Sequence, residues 1–154
     1  MTSAIEIRDF AAQHLLVKKT TCRHEDIGPA FGKAIQSVVA CSQAMGAKMA
    51  SAPIAVYLDW RESDCDLAVG FQVDGKLAPS SGCEWLDLSG GPHASASHFG
   101  PYTGLGQAHH AIRDWCAAHG RQLAGPCWES YPVDPGAEPD SSKWQTDIHY
   151  PVGP

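Results

Sequence analysis

The sequence predicts an α+β protein made of two pseudo-symmetric strand-helix-strand-strand modules, with antiparallel sheets, two main helices and a central ligand groove where the copies meet. Three observations lead there. Shifting the chain by 74 places aligns residues 24–57 with 98–131 without a gap; the seven identities include His24 with His98, Gly32 with Gly106, Gly46 with Gly120 and Tyr57 with Tyr131. Each copy holds one apolar run at helical spacing that ends at a glycine. Short extended stretches bounded by Gly, Pro, Asp and Ser flank each run. A period of 74 residues is too long for a solenoid and suits one duplicated supersecondary unit. The whole of 1–154 is therefore one domain, with module one over about 1–74 and module two over about 84–154.

The elements follow in order. "IEIRDF" is a strand ahead of the first copy, and "LLVKKTT" leads into its helix. Ile27, Ala30, Phe31, Ala34, Ile35, Val38 and Met45 form the apolar face of that helix, and Gly46 supplies a left-handed cap. "PIAVYLD" and "CDLAVGFQV" are the strands after it, and "DGKLAPSSG" (74–82) is a loop. The second copy repeats the pattern. "EWLDLS" lies ahead of it and "PHASASHF" enters a helix faced by Leu105, Ala108, Ile112, Trp115 and Cys116, which Gly120 closes; "CWESYPVD" and "KWQTDIHYPV" follow. Trp115, Phe71 and Tyr150 are expected in the core. One helix covers one face of each sheet, leaving the other face to meet its twin.

Bulk properties narrow the function classes. A net charge of −6, with Lys18 and Lys19 the sole adjacent basic pair, disfavours a phosphate backbone, so no nucleic acid is expected as a partner. No stretch approaches the run of about 20 apolar residues that a membrane span needs. The start, "MTSAIEIRDF", lacks a secretory pattern, which makes the cytoplasm the expected compartment and the six cysteines reduced thiols. No C-x-x-C pair occurs, and the adjacent His109 and His110 point about 100° apart on a helix, so no metal site is expected. Phosphate-loop, nucleophile-elbow and H-E-x-x-H patterns are absent, and no cofactor is expected.

One residue stands out. Alternation along "GPCWESYPVDP" (125–135) puts Cys127, Glu129 and Tyr131 on one face and Trp128 and Ser130 on the other, unless a bulge brings Trp128 round. The repeat pairs Tyr131 with Tyr57 but Glu129 with Ala55. A carboxylate among aromatics costs solvation unless it is paired. Glu129 therefore needs a partner or a wet cavity. The candidate is a pocket in which Glu129 meets a cation while Tyr57, Tyr131 and Trp144, with Trp85 and Trp128 as further candidates, hold a hydrophobic body. A Cys127 nucleophile is disfavoured, because a carboxylate beside a thiol opposes the thiolate.

These residues carry a resemblance. "HFGPYTGL" (98–105), "AAHG" (117–120), "AGPCWESYPVDP" (124–135) and "TDIHYPV" (146–152) resemble the second half of the GyrI-like small-molecule-binding family, the effector-binding domain of AraC-type and multidrug-sensing regulators. "RHEDIGPAFG" (23–32) and "SAPIAVYLD" (51–59) resemble its first half, although the usual Gly-Pro-Tyr is missing there. The resemblance implies a groove for hydrophobic, often cationic, small molecules, with Glu129 as the acidic contact. It leaves three roles open for a chain without a helix-turn-helix segment: a binding protein, a hydrolase of electrophilic cyclopropane-type natural products using Glu129 as general acid or base with Tyr57 or Tyr131 assisting, or a protein partner like the gyrase inhibitors.

Overall fold

The apolar spacing of the first copy folds into α1, Ile27–Met45, with Ala34, Val38 and Cys41 buried along one face. The helix stops at Gly46, whose φ of +69° lies in the left-handed region that a residue without Cβ enters freely. The same pattern in the second copy gives α2, Leu105–Ala118, buried through Ala108, Ile112 and Cys116. The structure, a computed structural model, describes residues 2–74 and 82–153, so the loop expected over 74–82 lies, from 75 to 81, outside the described residues.

Eight strands accompany the helices among the described residues: β1 Glu6–Phe10, β2 Gln13–Arg23, β3 Ile54–Trp60, β4 Asp64–Gln72, β5 Glu84–Leu88, β6 Gly91–Phe99, β7 Trp128–Val133 and β8 Gln145–Pro151. All the pairings described below are antiparallel, and the fold is α+β as expected. The chain forms two compact units, one of Ala12–Ser89 and one of Met1–Ala11 with Gly90–Pro154. These differ from the modules read along the sequence. The strand ahead of each copy joins the sheet of the other copy: β1 pairs with β6, and β5 pairs with β2. Strand signals in the sequence report a local conformation, whereas the partner is chosen by long-range register, which the repeat does not encode.

Within the 12–89 unit, β4 lies between β3 and β2, and β2 also holds β5. Leu16, Val38, Cys41 and Phe71 form the core under α1, with Ile35, Met45 and Trp85 packed against it. Within the other unit, β6 pairs with β1 and β8, and β8 pairs with β7. Its core under α2 is Ala94, Ala96, Ala108, Ile112, Cys116, Ile148, Tyr150 and Val152, with Trp115 packed against it. The side chains of β6 in this layer are alanines, which bring the sheet and the helix close. Phe71 and Tyr150 take the core places the sequence predicts for them.

Gly70 is the tightest point of the 12–89 unit. It faces Val17 across the β2–β4 ladder, and a Cβ there would lie 1.8 Å from the carbonyl oxygen of Leu16. Backbone cannot yield as a side chain does. Gly70→Ala is expected to cost about 3 kcal/mol or more in urea unfolding, whereas Gly32→Ala, with nothing within 4 Å of the added atom, should gain about 0.5–1 kcal/mol. Equal midpoints for the two variants would contradict this packing.

Candidate functional site

Glu129 lies second in β7, opposite Ile148 of β8, and so on the sheet face that α2 covers. Only 1% of it is exposed. An isolated carboxylate at that depth would cost several kcal/mol. It is compensated from two directions. Nε2 of His109, on α2, donates to Oε2 at 2.7 Å, and the Tyr131 hydroxyl donates to Oε1 at 2.6 Å. The second ring nitrogen of His109 is 2.7 Å from the Tyr150 hydroxyl on β8, which Arg113 approaches at 3.3 Å from one turn further along α2. The chain of contacts thus runs Arg113, Tyr150, His109, Glu129, Tyr131.

His109 is the cation in contact with Glu129. Burial pushes its imidazole down, but the contact with Cys127 and the hydrogen bond and negative charge of Glu129 outweigh that and raise it to about 9. At neutral pH it is an imidazolium facing a carboxylate, with both N–H groups used. Tyr150 is shifted upward, first by burial and then by Cys127.

Local sequence explains the placement. The β7–β8 register shifts between Ser130 and Val133, and Pro132, which has no N–H for the ladder, sits inside the shift. The irregularity follows Glu129, so Trp128 is not brought round: it pairs with His149 and keeps the opposite face. There its ring meets Phe10 at 5.3 Å and His149 at 4.1 Å between centroids, and its buried Nε1 makes no hydrogen bond among the described residues. Beside it, Ser95 Oγ and His149 Nδ1 are 2.8 Å apart. His149 is pushed down to about 4, mainly by burial and against the pull of Asp147.

An aromatic group lies beyond Tyr131. Tyr102, in the 3-10 turn that precedes α2, has its ring 6.2 Å from that of Tyr131 and 5.1 Å from that of Trp144. Trp144 is held by its Nε1–H, which donates to the carbonyl of Glu138 at 2.7 Å. Tyr102 is half-exposed, and its hydroxyl is raised to about 12 by burial and by the fields of Asp134 and Glu129. The structure thus brings Glu129, Tyr131 and Trp144 into one continuous set of contacts through Tyr102. Two further candidates belong to the 12–89 unit. Tyr57 belongs to the 12–89 unit, where its ring is 5.8 Å from exposed Trp60, which stacks on His24. Trp85 stacks on His14 and packs on the core under α1.

Two residues of this set escaped the sequence reading, although the repeat held a signal for both. The 74-residue shift pairs His109 with Ile35 and Tyr102 with Gly28, just as it pairs Glu129 with Ala55. His109 was weighed there only as a metal ligand beside His110. The sequence pattern of the family described as "GyrI-like small molecule binding domain" matches residues 3–152. The chain belongs to that family. Among solved structures, the EcmrR chain of an EcmrR–DNA complex is 20% identical with a TM-score of 0.82; this chain is covered over 97% of its length and spans 57% of that one. SAV2435 bound to tetraphenylphosphonium is 14% identical with a TM-score of 0.72, over 98% of this GyrI-like chain and 94% of that one. A hydrolase from Listeria innocua is 14% identical with a TM-score of 0.69, over 97% and 91%. At these identities the likeness is one of fold. No curated protein matches the chain.

The two buried histidines place opposite limbs on the stability of the GyrI-like domain. His109 has a folded-state value above its ordinary 6.5, so its contribution is complete below about 6.5 and is lost as pH rises through about 9. His149 is depressed from 6.5, so its contribution is complete above about 6.5 and is lost as pH falls through about 4. Urea unfolding across pH should peak near neutrality, with limbs no steeper than about 1.4 kcal/mol per pH unit for each group. Glu129→Gln is expected to flatten the alkaline limb and leave the acid one, and a steep alkaline limb in that variant would contradict the pairing.

Proposed function

We propose that this GyrI-like domain binds a hydrophobic, aromatic small molecule that carries positive charge, with Glu129 as its acidic contact and Tyr131, Tyr102 and Trp144 as its aromatic wall. One observation carries the reading. The Glu129–His109 pair stands where the other copy of the repeat has Ala55 and Ile35, and Ala55, 2% exposed, is as deeply buried as Glu129. The same architecture therefore packs with an apolar pair at these positions. A buried ion pair is on average no more stabilising than well-packed apolar residues of similar volume. Packing alone gives no reason for the charge, whereas recognition does: a carboxylate supplies selectivity for sign, and aromatic faces add about 0.5–2 kcal/mol for each cation they cover.

Further support comes from the family description and from the fold that this chain shares with SAV2435, whose structure holds tetraphenylphosphonium. A second reading has its own observation. Tyr131, Glu129, His109 and Tyr150 form an unbroken run of hydrogen-bonding groups that can take up and hand on a proton, as general acid–base chemistry requires. A fold neighbour described as a hydrolase agrees with it. In that reading Glu129 acts on a strained electrophile instead of pairing with a fixed cation.

Tetraphenylphosphonium at about a hundred times its dissociation constant should stabilise the wild type by about 2.7 kcal/mol, a thermal shift of about 5–10 °C for a domain of this size. Glu129→Gln should reduce that shift to near zero, and Trp144→Ala should reduce it in part. Equal shifts in wild type and Glu129→Gln would remove Glu129 as the contact. Mass spectrometry on electrophilic ligands separates the readings, since product formation that disappears in Glu129→Gln means an enzyme.

A further inference from the structure

A ligand cation that approaches Glu129 meets an occupied carboxylate. Oε2 already accepts from His109 at 2.7 Å, and the pair is enclosed, with the side chains 14% and 1% exposed. Two positive charges cannot share one buried carboxylate at contact distance without strong repulsion in a medium that screens poorly. The tyrosine contact presents no such conflict, because the Tyr131 hydroxyl is neutral.

The surroundings of His109 fix which group gives way. It is faced by Glu129 from β7, by Cys127 just ahead of that strand, and by Tyr150 from β8. On its own helix, Arg113 lies one turn away and reaches the same Tyr150 oxygen, and β6 contributes the uncharged Ala94 and Ala96 to the layer under α2. Tyr102, before the helix, carries no charge near neutral pH. Arg113 cannot lose its proton in the accessible range. His109 can, and it is the residue whose charge depends on the carboxylate.

We infer that a cationic ligand binds by replacing the positive charge of His109 at Glu129, so that its binding releases one proton from the imidazole to solvent. The inference rests on the proposed binding function and makes His109 the residue that sets its charge selectivity. The balance is simple: imidazolium, carboxylate and ligand cation become neutral imidazole, carboxylate–ligand ion pair and one free proton, with net charge unchanged. The neutral ring keeps Tyr150 as a hydrogen-bond partner for one nitrogen. A neutral aromatic ligand leaves Glu129 paired with the imidazolium and releases nothing. Because His109 is raised to about 9 in the free protein, affinity for a permanently charged cation should climb with pH, by at most about tenfold per unit, and level off above that value.

Isothermal titration of the whole chain with tetraphenylphosphonium at pH 7.5, in buffers of low and high ionisation enthalpy, counts the protons directly, because this ligand does not titrate. The expected count is close to one for wild type and close to zero for triphenylphosphine oxide as a neutral probe, and it is lost in His109→Gln. A wild-type count near zero, with affinity flat between pH 6.5 and 9, would overturn the inference while leaving the binding function in place. An undiminished count in His109→Gln would overturn it as well, by assigning the proton to another group. No binding of the cation at any pH would overturn the binding function and this inference with it. The wild-type count and pH profile decide the matter even if His109→Gln fails to fold.

Discussion

A carboxylate with 1% of its surface exposed dictates much of what surrounds it. Glu129 cannot stay charged beneath α2 unless a cation and hydrogen-bond donors come within contact, and they do so from three elements: His109 from the helix, Tyr131 from its own strand, and Tyr150, through His109, from β8. Leaving one partner of such a pair buried and alone typically costs about 3–5 kcal/mol, a large share of the stability of a small domain. The positions of α2, the β7 irregularity and the last strand are therefore coupled through one ionic contact, and a change in any of them is felt at the carboxylate.

The duplicated architecture supplies an internal comparison. Both copies place a helix over a sheet whose strands run in the same order, and both bury an alanine, Ala34 or Ala108, at the matching position of the helix. They differ in what stands beside that alanine. Ile35 and Ala55 make one copy a plain apolar layer, while His109 and Glu129 make the other a charged one, with Tyr102 in place of Gly28 at its edge. The buried ion pair thus lies in the second copy, and the first shows that the same fold packs with apolar residues at the matching positions. In the proposed reading this charge serves recognition, because a buried ion pair is on average no more stabilising than well-packed apolar residues.

Much of the fold was legible in the sequence because it rests on local signals. Helical apolar spacing placed α1 and α2, Gly46 marked where α1 stops, and all eight strands were visible as bounded extended stretches. Partner choice was not legible. β1 and β5 each join the sheet of the other copy, and no residue within either strand specifies that pairing over the alternative. At the site, Glu129 and its face were legible from strand alternation and from the broken symmetry with Ala55. His109 was missed because its partner is 20 residues away and only the packing of helix on sheet brings them together. Trp85 stacks on His14 and Trp128 lies tilted against His149, contacts that composition and alternation cannot foresee.

In the proposed exchange a protonated His109 balances Glu129 until a cation arrives. Nitrogen-15 NMR of the imidazole at pH 7.5, with and without tetraphenylphosphonium, observes that charge directly. A doubly protonated ring is expected in the free protein and a neutral ring in the complex. A neutral ring in the free protein, or an imidazolium that persists unchanged in the complex, would contradict it.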